Sequence, residues 1–365
     1  MAKGLKRIAL QMMAGANAFT VAALLMTGYA GHINPETSPW LTNAGLIFPA
    51  FLVINMIFLV FWLLFKPVGA VIPFIGMLMA FVPIRQYMPM NIPRQAPDDA
   101  IKILSYNVWA FGTDRNADGT SPIVRYITDS DADIICLQES SKPYDIQQQF
   151  DSLLYNKYQY HDTLKCGDSE VIEVISKFRI KCKEKIDYIS EGNLSGAFQL
   201  EIDGKDVLVI NNHLETTGLT LEERKKFKEM LKGDINRTSA REQSILLIDK
   251  LGTAAKTRAP EARSVASYIR KHAYQSIICT GDFNDGPLSY AHKVIHDELT
   301  DCYIASGNGP GISYHLSGFY VRIDNIFCSS DWQPYACKVD NSIQSSDHYP
   351  IVCFLKKKDP SGRNN

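Results

Sequence analysis

Between Ile8 and Ile84 the chain carries only two acidic or basic residues, Glu36 and Lys66. A water-soluble domain cannot leave 77 consecutive residues so free of charge, because its outer faces need polar side chains. Three uncharged runs divide the stretch: Ile8–Gly31, Ala44–Phe65 and Pro67–Ile84, of 24, 22 and 18 residues. Each is long enough for a helix through a hydrocarbon layer about 30 Å thick. A buried core helix is usually shorter and keeps a polar stripe, whereas AGLIFPAFLVINMIFLVFWLLF is apolar all round. We therefore expect a membrane region over 1–84 with three transmembrane helices, about 8–31, 44–65 and 67–84. The third, interrupted by three prolines and two glycines, is the weakest of them and is also compatible with a re-entrant segment.

Basic residues set the expected orientation. Lys3, Lys6 and Arg7 precede the first run and Lys66 separates the second from the third, while 32–43 has no Lys or Arg. Positive ends stay inside. The N-terminus is then cytoplasmic, and everything after the third helix lies outside the cytoplasm, in the periplasm if the source is bacterial. Arg85 and Arg94 pull mildly the other way. Three segments without intramembrane charge argue against a transporter core.

From Gln86 onward the chain is polar, with 33 Lys/Arg against 38 Asp/Glu, a net of −5. Residues 85–100, with three prolines, read as a linker. Beyond them, strand-like apolar runs recur at Ile101–Tyr106, Asp133–Leu137, Val171–Ile175, Ala197–Ile202, Val207–Ile210, Ser276–Thr280, Val321–Cys328 and Pro350–Leu355. Helical stretches lie between them, which predicts an α/β domain over 101–356. Residues 219–271 stand out as a basic helical insertion, with 13 Lys/Arg and 7 Asp/Glu, +6 against −11 for the rest of the polar region. Val265, Tyr268, Ile269 and His272 have the spacing of a helix face packed on a sheet. A flexible tail is expected over 357–365. All eight cysteines lie in the polar region, none with zinc spacing. An even number outside the cytoplasm permits disulfides, with Cys166 and Cys182 the first pair to test.

The acidic stretch Asp114–Gly119 opens like a calcium loop, but its twelfth position is Arg125, where a bidentate Glu is required. Six other elements place polar groups at or just after strand-like runs: Ser105-Tyr106-Asn107, Gln138-Glu139, Asn211-Asn212-His213, Gly281-Asp282-Phe283-Asn284, Arg322-Ile323-Asp324 and Ser346-Asp347-His348. Strand ends are where an α/β scaffold collects a site. Each tripeptide alone arises easily by chance; six in this order do not.

The series NVWAF, LQES, NNHL, GDFND, RIDNI and SDHYP resembles the endonuclease/exonuclease/phosphatase superfamily, over residues 101 to 355. The membrane segments and the basic insertion lie outside the common pattern, and Arg179 stands where many members have proline. The resemblance implies a DNase I-like fold, a four-layer sandwich of two packed mixed β-sheets flanked by helices, here preceded by the three transmembrane helices. It also implies a Mg²⁺-dependent (or Mn²⁺-dependent) phosphoric ester hydrolase. Such chemistry needs an activated water, neutralised phosphate oxygens and help for the leaving oxygen. Glu139 is implied as the main metal ligand, with Asn107 and Asp347 near it, all hard oxygen donors suited to Mg²⁺. Asp282 would orient or deprotonate the attacking water and Asn284 would hold the phosphate. His348, oriented by Asp324, would stabilise or protonate the phosphate, and His213 would stand near the leaving group; which histidine is the general acid stays open. Gln138 and Asn212 are expected one layer out, with either Asn211 or Asn212 facing the site. Arg322 is expected to support the strand of Asp324.

The expected function is thus a membrane-anchored, metal-dependent phosphoesterase acting by water attack on a phosphodiester or phosphomonoester. Its expected partners are the bilayer and a phosphate ester: a phospholipid head group, nucleic acid or a soluble phosphodiester. No obligate protein partner is evident. The alternatives are a nuclease acting on DNA or RNA outside the cytoplasm, and an inactive tethered binding module on the same fold. The acidic balance outside the insertion counts mildly against the nuclease, and the presence of Glu139, Asp282 and His348 counts against the inactive module.

Overall fold

The computed structural model describes residues 2–167, 170–190, 192–232, 237–316 and 318–358. Most of the expected tail, residues 359–365, lies outside them. Among the described residues twelve strands follow in chain order: β1 (Ile101–Asn107), β2 (Ile134–Gln138), β3 (Tyr160–Cys166), β4 (Glu170–Ser176), β5 (Arg179–Lys185), β6 (Leu194–Ile202), β7 (Lys205–His213), β8 (Ser276–Asp282), β9 (Thr300–Asp301), β10 (Asp324–Cys328), β11 (Trp332–Val339) and β12 (Ile351–Lys357). One sheet runs β11-β12-β1-β2-β4-β3, the other β5-β6-β7-β8-β10-β9. Each has a parallel pair at its centre, β1 with β2 and β7 with β8.

Alternation along the strands builds the layers. Ile103, Ile134, Ile172 and Val174 of the first sheet meet Phe198, Val207, Val209 and Ile278 of the second. Their neighbours point outward. Leu104, Ile135 and Ile175 pack under the helix Pro122–Ser130 and the turn at Phe150–Leu154. Leu208, Ile210 and Ile277 pack under Ala262, Val265 and Ile269 of the helix Arg237–Lys271. The order is helix, sheet, sheet, helix, as expected of the four-layer sandwich. Burial on both faces explains why the inner strands read as continuous apolar runs.

All eight cysteines are free thiols, Cys166 and Cys182 included, and six of the eight are buried. The insertion folds as the helices Leu221–Lys232 and Arg237–Lys271. The rejected calcium loop is closed by an ion pair of its own, between Arg125 and Asp118.

Within the N-terminal region, the helices Gly4–Gly28 and Pro39–Phe65 are long and apolar enough to cross a membrane. The third expected helix is instead a pair, Pro67–Met79 and Phe81–Tyr87, bent by 62°. Pro83 supplies the cause: it has no N–H to give the carbonyl of Met79, which accepts from the Tyr29 hydroxyl at 2.8 Å. The bent pair still runs back the length of its neighbours. Gly69 lies on Trp62, Gly76 on Val21, and Gly28 on Pro83. Finally Tyr87 meets Phe48 edge-on at 5.8 Å. Asn17 and Asn55 join the first two helices at 3.1 Å, and Trp62 Nε1 donates to Asn17 at 3.0 Å.

This region is docked on the sandwich. Gly31 lies against the carbonyls of Leu288 and Ser289, Arg263 pairs with Glu36 at 2.8 Å, and Leu288 joins the apolar cluster of Leu24, Phe48 and Ala80. The segment expected as linker is partly anchored too, since Asn91 donates to the carbonyls of Ile304 and Gly307 at 3.1 and 2.6 Å.

Candidate active site

The positions facing the gap between the sheets start apolar and turn polar toward one edge of the sandwich. Ile103-Ser105-Asn107, Ile134-Cys136-Gln138, Val207-Val209-Asn211-His213 and Ile278-Thr280-Asp282 are four such series. β10 runs the other way, so Asp324 begins its series. The ladder puts Asn107 opposite Gln138, and Asp282 opposite both His213 and Asp324. Gly281 makes this possible: its φ is +129°, and a Cβ there would stand 2.0 Å from the Asn212 carbonyl. Just past the strand ends, Glu139 and Asn284 both adopt φ +50° and turn back over the edge.

Asp282 is the centre of the arrangement and is almost fully buried. Asn107 Nδ2 donates to Asp282 Oδ2 at 3.0 Å and to Glu139 Oε1 at 2.9 Å. Two histidines flank it: His348 Nε2 at 3.6 Å and His213 Nε2 at 3.7 Å, the latter also 3.7 Å from Glu139. Each ring is held from behind by a carboxylate, His348 Nδ1 by Asp324 and His213 Nδ1 by Glu170, both at 2.8 Å. The Asn284 N–H donates to Asp282 Oδ1 at 2.8 Å, and its side chain donates to the Leu214 carbonyl. Ser346 donates to the Asn107 carbonyl at 2.8 Å, fixing the loop that carries Asp347 and His348.

Burial alone would strip both histidines of charge. Glu170 reverses that for His213, raising it to about 9; Asp324 and Asp282 do so for His348, raising it to about 10. Burial also pushes Asp282 up to about 6, against the pull of His348. Asp347 is raised as well, by burial first, with the Glu139 charge adding to it against His348.

Gln138 and Asn212 differ in where they point. Gln138 Nε2 reaches Asn211 Oδ1 at 2.6 Å, tying the two sheets together beneath the site. Asn212 has the opposite parity, so it faces the helix layer, where it donates to the Thr280 carbonyl at 2.8 Å. Asn211, not Asn212, is therefore the asparagine on the site's side of β7. Arg322 lies under the site, bound to the carbonyls of Pro310 and Gln86 at 2.9 and 2.5 Å.

Three groups escaped the motif reading. Glu170 opens β4, whose inward series is Glu170, Ile172, Val174; period two extended by one residue would have named it. Arg224, from the insertion, lies 4.0 Å from Asp347 and bonds the Tyr314 hydroxyl. Arg258 is 2% exposed, pairs with Asp285 at 2.8 Å, and keeps Nη2 without a partner in the wall of the cleft. No local pattern marks either arginine.

The donor set fits a hard divalent cation. Five carboxylates (Glu139, Glu170, Asp282, Asp324, Asp347) face two histidines and one arginine, and the mutual repulsion of Glu139 and Asp347 is what a cation would relieve. Asp282, Asp324 and His348 also offer ligand atoms within 4.8 Å of one another. That trio is already joined through His348 and is buried, whereas Glu139 and Asp347 line the cleft with side chains 34% and 12% exposed.

The model of the Endonuclease/Exonuclease/phosphatase family matches residues 104–348, and one described as a domain of unknown function (DUF8431) matches 10–87. No curated protein matches the chain. Among solved structures, D. rerio TDP2 complexed with a single-strand DNA product superposes with TM-score 0.52 at 16% identity, covering 71% of this chain and 100% of that one. An endonuclease/exonuclease/phosphatase from Beutenbergia cavernae gives 0.50 at 16% identity, covering 71% and 72%. TDP2 from C. elegans gives 0.50 at 14%, covering 77% and 81%. These likenesses concern the fold. The family match, spanning more than half of the sequence and every one of the six motifs, carries the assignment: this chain belongs to the Endonuclease/Exonuclease/phosphatase family.

Proposed function

We propose that the protein is a membrane-anchored, divalent-metal-dependent phosphoesterase whose active site is the polar edge between the two sheets. The observation that carries this reading is the pair of carboxylate-held histidines on either side of Asp282. Glu139 and Asp347, with Asn107 beside them, would hold Mg²⁺ or Mn²⁺, which neutralises phosphate charge and acidifies bound water. Asp282, kept at about 6 by burial, is matched to accept or orient a water proton near neutral pH. Asn284 hangs from the same carboxylate, and its amide, here donating to the Leu214 carbonyl, would have to turn to hold the phosphate. His348, kept protonated by Asp324, donates to a phosphate oxygen, and His213, kept protonated by Glu170, stands ready for the leaving oxygen.

The membrane half of the proposal rests on two helices of spanning length and a bent third that returns to the level of Phe48. Lys6, Arg7 and Lys66 lie at the end remote from the sandwich, so the positive-inside bias favours a catalytic domain outside the cytoplasm.

The full chain, purified in detergent, should hydrolyse bis(p-nitrophenyl) phosphate with Mg²⁺ or Mn²⁺ and stop in EDTA. Asp282→Asn and His348→Ala should each cost about 10³-fold or more in kcat while leaving the thermal melt cooperative. Undiminished turnover in either variant, or in EDTA, would refute the assignment.

A further inference from the structure

Segment 38–47, the N-terminal part of the second apolar span, does more than lead the chain into the helix Phe48–Phe65. Asn43 and Leu46 line the cleft that holds Glu139, Asp282, Asp347 and His348. They also line an adjoining cleft, which shares Asp285, Gly286 and Val321 with the first and continues to Leu288, Pro49 and Tyr87. Pro49 lies in the first turn of the helix Phe48–Phe65 and Tyr87 ends the bent pair. The two clefts adjoin along these shared residues and together make a trough that reaches from the catalytic carboxylates to the ends of the membrane helices.

The catalytic cleft carries both charge and hydrocarbon in its walls. At the catalytic end Arg224 and Arg258 supply positive charge, and Arg258 Nη2 is buried and unpartnered. The same cleft also has apolar walls: Leu219, Leu251 and Phe319 on the sandwich side, with Phe319 stacked on Phe227 at 4.3 Å. Leu46 faces them from the membrane region, 40% exposed. An apolar side chain left open in a polar cleft, in line with a bilayer-spanning helix, marks a place for hydrocarbon.

We infer that the membrane region supplies one wall of the substrate site, and that the substrate is a phosphate ester bearing a hydrocarbon tail that stays in the bilayer. Leu46 is a specificity residue for the tail, and Asn43, beside it, sits where head group and tail join. Arg258 offers its free N–H to an anionic oxygen of the head. The inference rests on the phosphoesterase reading above and adds the substrate class. It also gives the tether a catalytic purpose: the ester need never leave the membrane.

The test uses the full chain in nanodiscs with Mg²⁺ and two esters that share a leaving group, methyl and octyl p-nitrophenyl phosphate, the latter below its micelle-forming concentration. We expect kcat/KM for the octyl ester to exceed that for the methyl ester by at least about tenfold, the effect of burying two methylenes. Leu46→Asp should bring that ratio close to one, chiefly through KM for the octyl ester, and Leu46→Met should restore it. Equal rates for the two wild-type reactions overturn the inference and leave the phosphoesterase reading intact. So does a Leu46→Asp variant that slows both esters alike with the ratio preserved, since a merely structural role would do that. So does cleavage of an oligonucleotide in preference to the octyl ester. Failure to hydrolyse either ester, with Mn²⁺ as well as Mg²⁺, defeats the phosphoesterase reading itself and this inference with it.

Discussion

His213 lies in surroundings that by burial alone would leave it neutral, yet Glu170, 2.8 Å from Nδ1, raises it to about 9. The sign of the linkage follows. A histidine raised in the folded state stabilises the fold fully below its ordinary value of 6.5, and the contribution is lost as pH rises through about 9. Removing the Glu170 charge should therefore let His213 lose its proton at lower pH. In Glu170→Gln we expect the alkaline limb of the kcat profile to move down, and kcat to fall roughly 10- to 100-fold, as when orienting carboxylates are removed from metal-site histidines. A variant whose profile falls without shifting would make Glu170 a structural prop only. The motifs named His213 and missed Glu170 for a physical reason. A motif is local, whereas this pair is separated by 43 positions and meets only because the antiparallel β4 begins where β2 ends. The same holds for Arg224 and Arg258, which arrive on a helical insertion whose charge pattern looks like any solvated face.

At the level of elements, what could be read was set by burial. The eight strands expected from apolar runs are β1, β2, β4, β6, β7, β8, β10 and β12; the four found only in the structure, β3, β5, β9 and β11, are the edges of the two sheets. Edge strands bury less and are kept polar against mispairing, and β5, RIKCKEK, has six of its seven residues exposed. The site avoids the edges. It hangs on the central parallel pairs, whose register is fixed by two buried faces. Gly281 is the tightest point of that register, with Asn212 O 2.0 Å from where a Cβ would go and a φ no other residue adopts readily. Gly281→Ala should separate β7 from β8 where His213 opposes Asp282. We expect a loss of stability on the order of 3 kcal/mol or more, read as a fall in melting temperature, with activity lost in whatever fraction still folds. An unchanged melt would mean that the two strands move apart there without cost.

The whole molecule is a sandwich seated on a three-element apolar stalk, and its orientation depends on the element least legible in the sequence. Three prolines and two glycines in 67–84 argued for a segment that either crosses or turns back. Contacts that no local pattern encodes decide its path: Gly69 on Trp62 at one end, Tyr87 on Phe48 at the other. The helix Phe48–Phe65 has 18 residues, about 27 Å at 1.5 Å per residue, close to the hydrocarbon thickness. A segment that retraces it returns the chain to the side on which it left the first helix. On the proposed topology the sandwich stands opposite Lys6, Arg7 and Lys66, which the positive-inside bias assigns to the cytoplasm. Cys182 offers a direct check, because it is the one exposed cysteine among eight free thiols and lies on the edge strand β5. A membrane-impermeant maleimide added to intact cells, after any outer barrier is opened, should label the protein, and Cys182→Ser should remove most of that labelling. Labelling that requires the inner bilayer to be breached would put the catalytic domain in the cytoplasm and reverse the topology. The trough from Leu46 to Asp282 would survive that reversal, because both its walls move with the stalk; only the leaflet supplying the substrate would change.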